Sequence, residues 1–301
     1  MYSEEFQEQI ARLKTDKVSG SEEIVRKAVL LIRNEIQLNP ARFGKIIDLS
    51  EMLRKVIDIK KEMSALRNVL IYFMDFFQHG VAVEDLADRV IEKMDEQRNN
   101  LIDKLIPIIS QCKNIVTMSR SSTIFCALKK LSETQDSDKL PELTVFESRP
   151  ALEGKKLALE VVNLGYKVNY LVDAAVGRAI KALNPDLVLI GADTIFPNGN
   201  VVNKIGCHAL AIFASQDKVP FYVASTTLKL LLKSIPFTIQ SYPSTEVWAK
   251  DKPKEVKVYN PYFEIIPANL ITGFITEYGF STNIPDVRLV LEKEYIREMY
   301  E

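Results

Sequence analysis

A short apolar run followed by a polar loop is the part of the sequence best suited to bind a small molecule. Residues 187–190 are apolar at every position, as in a strand covered on both faces. Asp193, Asn198, Asn203 and Lys204 follow the run. Ligands of open parallel sheets bind where the strands end, and these groups could hold hydroxyls and a phosphate. Gly-Ala-Asp and Asn-Gly are also ordinary turn sequences, so a purely structural loop is the alternative.

Charged residues also follow two other predicted strands. Arg149 comes after the apolar segment 143–148, and Asp173 ends the segment 167–173. The Arg149 guanidinium could bind a phosphate through two hydrogen bonds or could pair with a nearby glutamate. If the strands end at one edge of a sheet, we expect a phosphate to contact Arg149 and Lys204 while the Asp193 carboxyl faces a hydroxyl.

Composition and charge exclude several classes of protein. The chain has 301 residues, 47% of them hydrophobic, and a net charge of -1 from 39 basic and 40 acidic residues, which gives no electrostatic basis for binding nucleic acid. It has no apolar run of about 18 residues and an acidic, polar start, so we expect a cytosolic protein without membrane contact. Three cysteines and two histidines without paired spacing predict no disulfide framework, metal site or cofactor.

Helical periodicity dominates the first third and predicts an N-terminal helical domain over residues 1–105. Ser19 and Glu22 are spaced as a capping box, and the apolar stripe after them stops at Asn39-Pro40. A second stripe runs from Met52 to Leu70 at spacings of three and four. It could contact a partner as a coiled coil, but its short length favours the inner face of a bundle.

Strand and helix patterns alternate in residues 106–301, which predicts an α/β domain with a mostly parallel sheet. The predicted strands cover residues 115–119, 143–148, 167–173, 187–193, 220–225 and 263–266. A long connection covers 241–262, and long connections in compact domains are usually functional or disordered.

Four separated motifs resemble one known family, in the family's order and over about residues 105–285. They read FESRPALEGKKLA, GADTIFPNGNVVNKIG, VPFYVASTTLKL and NPYFEIIPANLITGFITEYG. The chain resembles the alpha, beta and delta subunits of translation initiation factor 2B. Methylthioribose-1-phosphate isomerase and ribose-1,5-bisphosphate isomerase belong to the same superfamily. The resemblance implies a helical domain packed on a Rossmann-like domain that dimerises, and initiation factor 2 as the suspected partner.

The resemblance also implies site residues. Asp193, Asn203 and Lys204 match the family's loop, and Glu147 with Arg149 matches its Glu-Ser/Thr-Arg-Pro motif. The isomerases use the aspartate of Gly-Ala-Asp with a cysteine in a Thr-His-Cys turn, and we assign Ser121 to the place of this cysteine. The expected ligand-binding residues are therefore Arg149, Asp193, Asn203, Lys204, Ser121, Glu147 and Asp173, with Asp193 and Ser121 at the acid/base positions.

Serine in place of cysteine argues against an enzyme, because a hydroxyl is a far weaker acid than a thiol. The isomerases' phosphate-gripping Arg-Gly-Ala motif is also replaced by Ser19-Gly20-Ser21. We expect a regulatory, initiation factor 2B-like protein that acts with initiation factor 2 and keeps a sugar-phosphate or nucleotide pocket. A sugar-phosphate isomerase is the alternative, and a metabolite sensor is a third possibility. The apolar segment 260–280 predicts a homodimer interface.

Overall fold

An N-terminal layer of helices packs against an open α/β sheet domain. The computed structural model describes residues 2–16, 20–60, 63–231 and 241–284. The helices of the N-terminal layer are α1 (Glu4–Thr15), α2 (Ser21–Leu38), α3 (Pro40–Phe43), α4 (Ile46–Ile57), α5 (Ser64–Gln78) and α6 (Leu86–Ile109). The helical first third is as predicted.

Helix α2 ends where the sequence predicts, because Pro40 cannot continue the hydrogen bonding of the helix. Its start differs from the predicted capping box. Ser19 lies outside the described residues, and the carboxylate of Glu22 contacts two neighbouring helices instead. It lies 3.0 Å from the guanidinium of Arg98 and accepts a hydrogen bond of 3.0 Å from the Ser122 hydroxyl. Glu22 therefore links the helical layer to the sheet domain.

The second apolar stripe is divided between two helices. Helix α4 ends at Ile57 and α5 begins at Ser64, so the predicted continuous stripe is wrong as a single helix. Its members from both helices and from the connection between them are nevertheless buried in the same hydrophobic core, as expected for the inside of a bundle: Met52, Val56, Ile59, Leu66 and Leu70.

Helix α6 joins the two parts of the chain. Its first half, around Val90 and Met94, packs in the core of the helical layer. Its second half, from Leu101 to Ile109, packs against the sheet. Helix α6 therefore contributes to two hydrophobic cores, one in each half of its length. It also runs through the domain boundary predicted at residue 105.

The main sheet has its strands in the order β10-β9-β7-β4-β1-β2-β3. Among the described residues they are β1 (Asn114–Met118), β2 (Glu142–Phe146), β3 (Val168–Leu171), β4 (Leu187–Ile190), β7 (Phe221–Ala224), β9 (Gly273–Thr276) and β10 (Gly279–Ser281). All pairings are parallel except that of β10 with β9. The chain moves from β1 to β2 and β3 on one side and then returns to β4 on the other. The ends of β1 and β4 therefore form the switch point where ligands of such sheets bind.

Helices cover both faces of the sheet. One face packs against the second half of α6, α7 (Ser122–Ser132) and α8 (Glu153–Val162). The other packs against α9 (Val176–Leu183) and α10 (Cys207–Gln216). This double cover explains why the central strand β4 is apolar at every position.

A second, smaller sheet corrects the prediction for residues 194–204. These residues form a hairpin of β5 (Thr194–Ile195) and β6 (Val201–Lys204), not a loop leading to a helix. The predicted strand at 263–266 is β8 (Phe263–Ile266), and it pairs antiparallel with β6 rather than joining the main sheet. Asn198 lies in the hairpin turn, where its side chain accepts a hydrogen bond from the Asn200 backbone.

Packing inside the chain accounts for part of the apolar segment 260–280. Strand β9 lies between β7 and β10, and Phe274 and Ile275 are only 3% and 0% exposed. Ile266 is also fully buried. Tyr278 and Phe280 are exposed, at 38% and 48%, so a homodimer with this segment at its interface stays a prediction.

The described ranges include no helix that is both long and apolar enough to cross a bilayer. Within the same ranges, no cluster of three or more histidine, cysteine, aspartate or glutamate residues could hold a metal ion. The cysteines Cys112, Cys126 and Cys207 are free thiols, and burial raises the pKa of Cys112 to about 11. These thiols are therefore poor nucleophiles at neutral pH.

Candidate functional site

A cavity of about 230 Å³ lies at the switch point between β1 and β4. Its walls come from the ends of these strands, the β5–β6 hairpin, and the first turns of α2, α7 and α8. The aromatic side chains of Tyr242, Tyr262 and Phe263 complete it. The cavity therefore joins the helical layer, the sheet and the long connection predicted between residues 241 and 262.

Asp193 is held at the cavity wall by the hairpin and by the helical layer. Its backbone N–H donates to the carbonyl of Val202 at 2.9 Å, and its carbonyl accepts from the Ser64 hydroxyl at 3.3 Å. Burial raises the pKa of the Asp193 carboxyl above its ordinary value, while the ammonium groups of Lys229 and Lys204 oppose this rise. The carboxyl therefore keeps its proton to higher pH than a solvent-exposed aspartate.

Asn203 and Lys204 line the cavity but are already engaged. The Asn203 amide donates to the carbonyl of Gly191 at 2.7 Å and accepts from the Lys204 N–H at 2.8 Å, so it fixes the hairpin against the end of β4. Lys204 is 2% exposed. Its ammonium donates to Glu153 Oε1 at 2.7 Å and lies 4.3 Å from the centre of the Tyr262 ring.

The expected clamp of Arg149 and Lys204 is not formed. The side chain of Arg149 is exposed and does not belong to the cavity wall as far as the structure describes it. Its guanidinium donates to the Glu246 carbonyl at 3.3 Å. The Asp173 carboxylate accepts from the backbone N–H groups of Ser148 and Arg149 at 2.8 and 2.7 Å. Asp173 therefore shapes the turn after β2. In the part of the chain that the structure describes, neither Asp173 nor Glu147 of that turn lines the cavity.

The assignment of Ser121 to the cysteine position is wrong by two residues. Read from Thr117, the order Thr-His-Cys places the cysteine at Ser119, the first residue after β1. Ser119 lines the cavity in a left-handed backbone conformation, with φ of 66°, and donates its N–H to the Ser148 hydroxyl at 2.7 Å. Ser121 also lines the cavity, but its hydroxyl caps α7 by accepting from the Ile124 N–H. Serine still replaces cysteine at the corrected position.

Several cavity residues were not predicted from the sequence. Lys229 follows β7 and donates to the Ala192 carbonyl at 2.5 Å, beside Asp193. Lys60 reaches the cavity from the connection between α4 and α5, and Lys156 from the first turn of α8. Lys229 and Lys156 lie inside the motifs that resemble the family, so the sequence could have indicated these two lysines as site residues. No sequence signal pointed to Lys60.

The fold has a parallel α/β sheet, a helical layer over its switch point, and a cavity lined by lysine and carboxylate side chains, an arrangement that suits a small polar ligand. The chain belongs to the initiation factor 2 subunit family, whose model matches residues 17–283. This match confirms the family resemblance.

Relatives with isomerase names cover most of the chain. Methylthioribose-1-phosphate isomerase of Desulfitobacterium hafniense is 34% identical over 242 residues, which cover 76% of this chain and 67% of the relative. Ribose 1,5-bisphosphate isomerase of Methanocaldococcus jannaschii is 29% identical over 287 residues, covering 91% and 90%. The crystal structure of translation initiation factor eIF-2B from Pyrococcus horikoshii OT3 has a TM-score of 0.80 at 23% identity, covering 94% of this chain and 99% of that chain. At this identity the structural likeness shows a shared fold.

Proposed function

We propose that this protein binds a phosphorylated pentose in the cavity and interconverts its aldose and ketose forms. The main observation in support is the Asp193 carboxyl, which lies at the switch point with a raised pKa beside Lys204 and Lys229. The identity to isomerases over most of the chain supports this function better than the regulatory function expected from the sequence. A cytosolic location and self-association are parts of the same proposal.

The proposed reaction needs an acid at a sugar oxygen and a base at a sugar carbon. A protonated Asp193 carboxyl is suited to donate to the oxygen, and burial raises its pKa above the ordinary value, which favours the protonated form. Ser119 is a poor base, because a hydroxyl is far less acidic than a thiol and is therefore almost never deprotonated at neutral pH. Carboxylates are the ordinary substitute, and Asp16, Glu23 and Glu153 also line the cavity.

The test is an assay of purified protein with methylthioribose 1-phosphate and with ribose 1,5-bisphosphate. Product formation is followed by nuclear magnetic resonance, and binding by calorimetry. We expect multiple turnovers with at least one sugar phosphate, and loss of turnover in Asp193→Asn. Asp217→Asn is a matched control, because Asp217 is exposed at the end of α10. Binding of both compounds without any turnover would exclude the isomerase.

Serine at position 119 favours a second candidate function, an initiation factor 2B-like regulatory protein that binds the same ligand without turnover. In that case the purified protein should bind initiation factor 2, and a sugar phosphate should change this affinity. A binding assay with initiation factor 2, with and without the ligand, distinguishes the two functions when combined with the turnover measurement.

A further inference from the structure

We propose that Glu153 excludes phosphate from the inner part of the cavity, so that the preferred ligand carries one phosphate, held at the mouth. This inference rests on the proposed function in taking a sugar phosphate as the ligand. It concerns specificity and does not require turnover.

The Lys204 ammonium is already neutralised inside the cavity wall. It is buried, donates to Glu153 Oε1 at 2.7 Å and lies over the Tyr262 ring. A phosphate that approached Lys204 would meet the Glu153 carboxylate, and like charges at such short range repel each other. The carboxylate therefore occupies the place that a phosphate would need.

The second oxygen of Glu153 points to the kind of group that fits beside it. Glu153 Oε2 is shielded from solvent and has no hydrogen-bond partner within the described ranges. A carboxylate oxygen can only accept, so a sugar hydroxyl would satisfy it and a phosphate oxygen would not. The unpartnered acceptor therefore favours the uncharged part of a sugar at this end.

Aromatic rings form part of the cavity wall beside Lys204. The rings of Tyr242 and Tyr262 stack with their centres 4.0 Å apart, and Phe263 contacts Tyr242 edge-on at 6.4 Å. All three side chains line the cavity. Such a surface packs against carbon atoms and provides no positive charge for a phosphate.

Lys229 also lines the cavity, but its ammonium donates to the Ala192 carbonyl beside Asp193. Two other lysines, Lys60 and Lys156, remain available for a phosphate. Among the described residues, no carboxylate lies within ion-pair distance of Lys60 or Lys156. Lys156 is exposed and lies in the first turn of α8, where the helix dipole also favours an anion. A phosphate held at this mouth leaves the rest of the sugar to enter towards Glu153 and Asp193.

The cavity should therefore bind methylthioribose 1-phosphate and ribose 1,5-bisphosphate, the compounds in the names of the two isomerase relatives, with different affinities. Methylthioribose 1-phosphate carries one phosphate and an apolar group, whereas ribose 1,5-bisphosphate carries a phosphate at both ends. We expect the wild-type protein to bind the monophosphate at least about tenfold more tightly, which is the effect expected of one charge-assisted contact.

The test measures both affinities by calorimetry in the wild type and in Glu153→Gln. The variant should bind the bisphosphate about tenfold more tightly than the wild type does. The preference for the monophosphate over the bisphosphate should therefore become smaller or reverse. Asp103→Asn is the matched control, because it breaks a distant exposed ion pair with Lys130, and it should change neither affinity. A wild-type preference for the bisphosphate, or an unchanged ratio in Glu153→Gln, would overturn the inference.

Lys156→Gln provides a test that leaves the buried ion pair intact. It should weaken monophosphate binding about tenfold, whereas Lys155→Gln, next to it on the same helix and exposed, should not. Equal effects of the two substitutions would contradict a phosphate at the mouth.

Failure of the proposed function is recognised separately. If neither sugar phosphate binds the wild type, that function is wrong, and inorganic phosphate then tests Glu153 alone. Glu153→Gln should bind inorganic phosphate about tenfold more tightly than the wild type in a thermal-shift titration. No gain in phosphate affinity would overturn the role of Glu153 itself.

Discussion

The hydroxyl of Ser64 in α5 lies 2.9 Å from the carbonyl oxygen of Lys229, so the helical layer directly holds a lysine-bearing segment of the cavity wall. The Thr194 hydroxyl donates to the same Ser64 oxygen at 3.1 Å. One turn later, the Asn68 amide donates to the carbonyls of Leu228 and Leu230, both at 2.6 Å. Helix α5 of the N-terminal layer therefore holds both Thr194, next to Asp193, and the segment 228–230, which contains Lys229.

Removing the Ser64 hydroxyl should loosen this attachment. Ser64→Ala removes the hydrogen bonds of this hydroxyl with the Thr194 hydroxyl and the Lys229 carbonyl, so we expect the free energy of unfolding to fall by about 1–3 kcal/mol. We also expect weaker sugar-phosphate binding. Urea unfolding and calorimetry measure the two effects. Ser50→Ala is the control, because the Ser50 hydroxyl bonds only within its own helix, to the Ile47 carbonyl. Equal effects of the two substitutions would argue against a link between the layers.

The pH dependence of turnover should report the Asp193 carboxyl. Burial raises its pKa, and the proposed acid must be protonated to act. We therefore expect kcat to be highest below this pKa and to fall as the pH rises through it. The measurement is a pH–rate profile for the wild type. A rate that increased through the same range would mean that Asp193 acts as a base instead.

The α/β architecture could be predicted because its signals are local. Central parallel strands are apolar at every position, as in Leu187–Ile190, and helices carry stripes at spacings of three and four. Five strands of the main sheet, β1 to β4 and β7, are therefore close to their predicted positions, whereas β9 and β10 were not predicted. The hairpin of Thr194–Ile195 and Val201–Lys204 was missed because such short strands have no periodicity to recognise.

The contents of the cavity were harder to predict, because a strand end gives a residue's position but not the direction of its side chain. Arg149 follows the end of β2, yet the turn held by Asp173 leaves its side chain exposed and directed to the Glu246 carbonyl. Lys204 enters the cavity wall, but its charge is used by Glu153. Both outcomes depend on contacts between residues far apart in sequence, which no local pattern contains.

A buried glutamate should make stability depend on pH in a defined direction. Glu277 accepts hydrogen bonds from the Thr227 N–H and from the Gln97 amide, both at 3.0 Å. Burial raises its pKa above the ordinary value of 4.5. Because the folded state then holds the proton more tightly than the unfolded state, this contribution is fully present below about pH 4.5 and is lost as the pH rises through the folded pKa.

The measurement compares the free energy of unfolding of the wild type and Glu277→Gln across a series of pH values. The difference between wild type and variant should decrease as the pH rises from mildly acidic towards neutral. Glu8→Gln serves as the control, because the Glu8 side chain is 64% exposed, and its difference from wild type should change little. A difference that grew with pH would mean that the hydrogen bonds outweigh burial.

The close contact between α8 and β2 should make Gly154 intolerant of any side chain. A Cβ atom at this position would lie 1.7 Å from the carbonyl oxygen of Phe146, which is backbone and cannot rotate away. Gly154→Ala must therefore shift the first turn of α8, which carries Glu153 and Lys156 into the cavity.

We expect this substitution to lower the free energy of unfolding by about 3 kcal/mol and to weaken sugar-phosphate binding in the protein that remains folded. Gly44→Ala is the matched control, because its nearest non-neighbouring atoms would lie at 3.8 Å and its backbone has an ordinary φ of -65°. Chemical unfolding and calorimetry measure both variants. Wild-type stability in Gly154→Ala would show that α8 does not pack this closely on β2. Lost stability with unchanged ligand affinity would show that the first turn of α8 does not set the position of the phosphate.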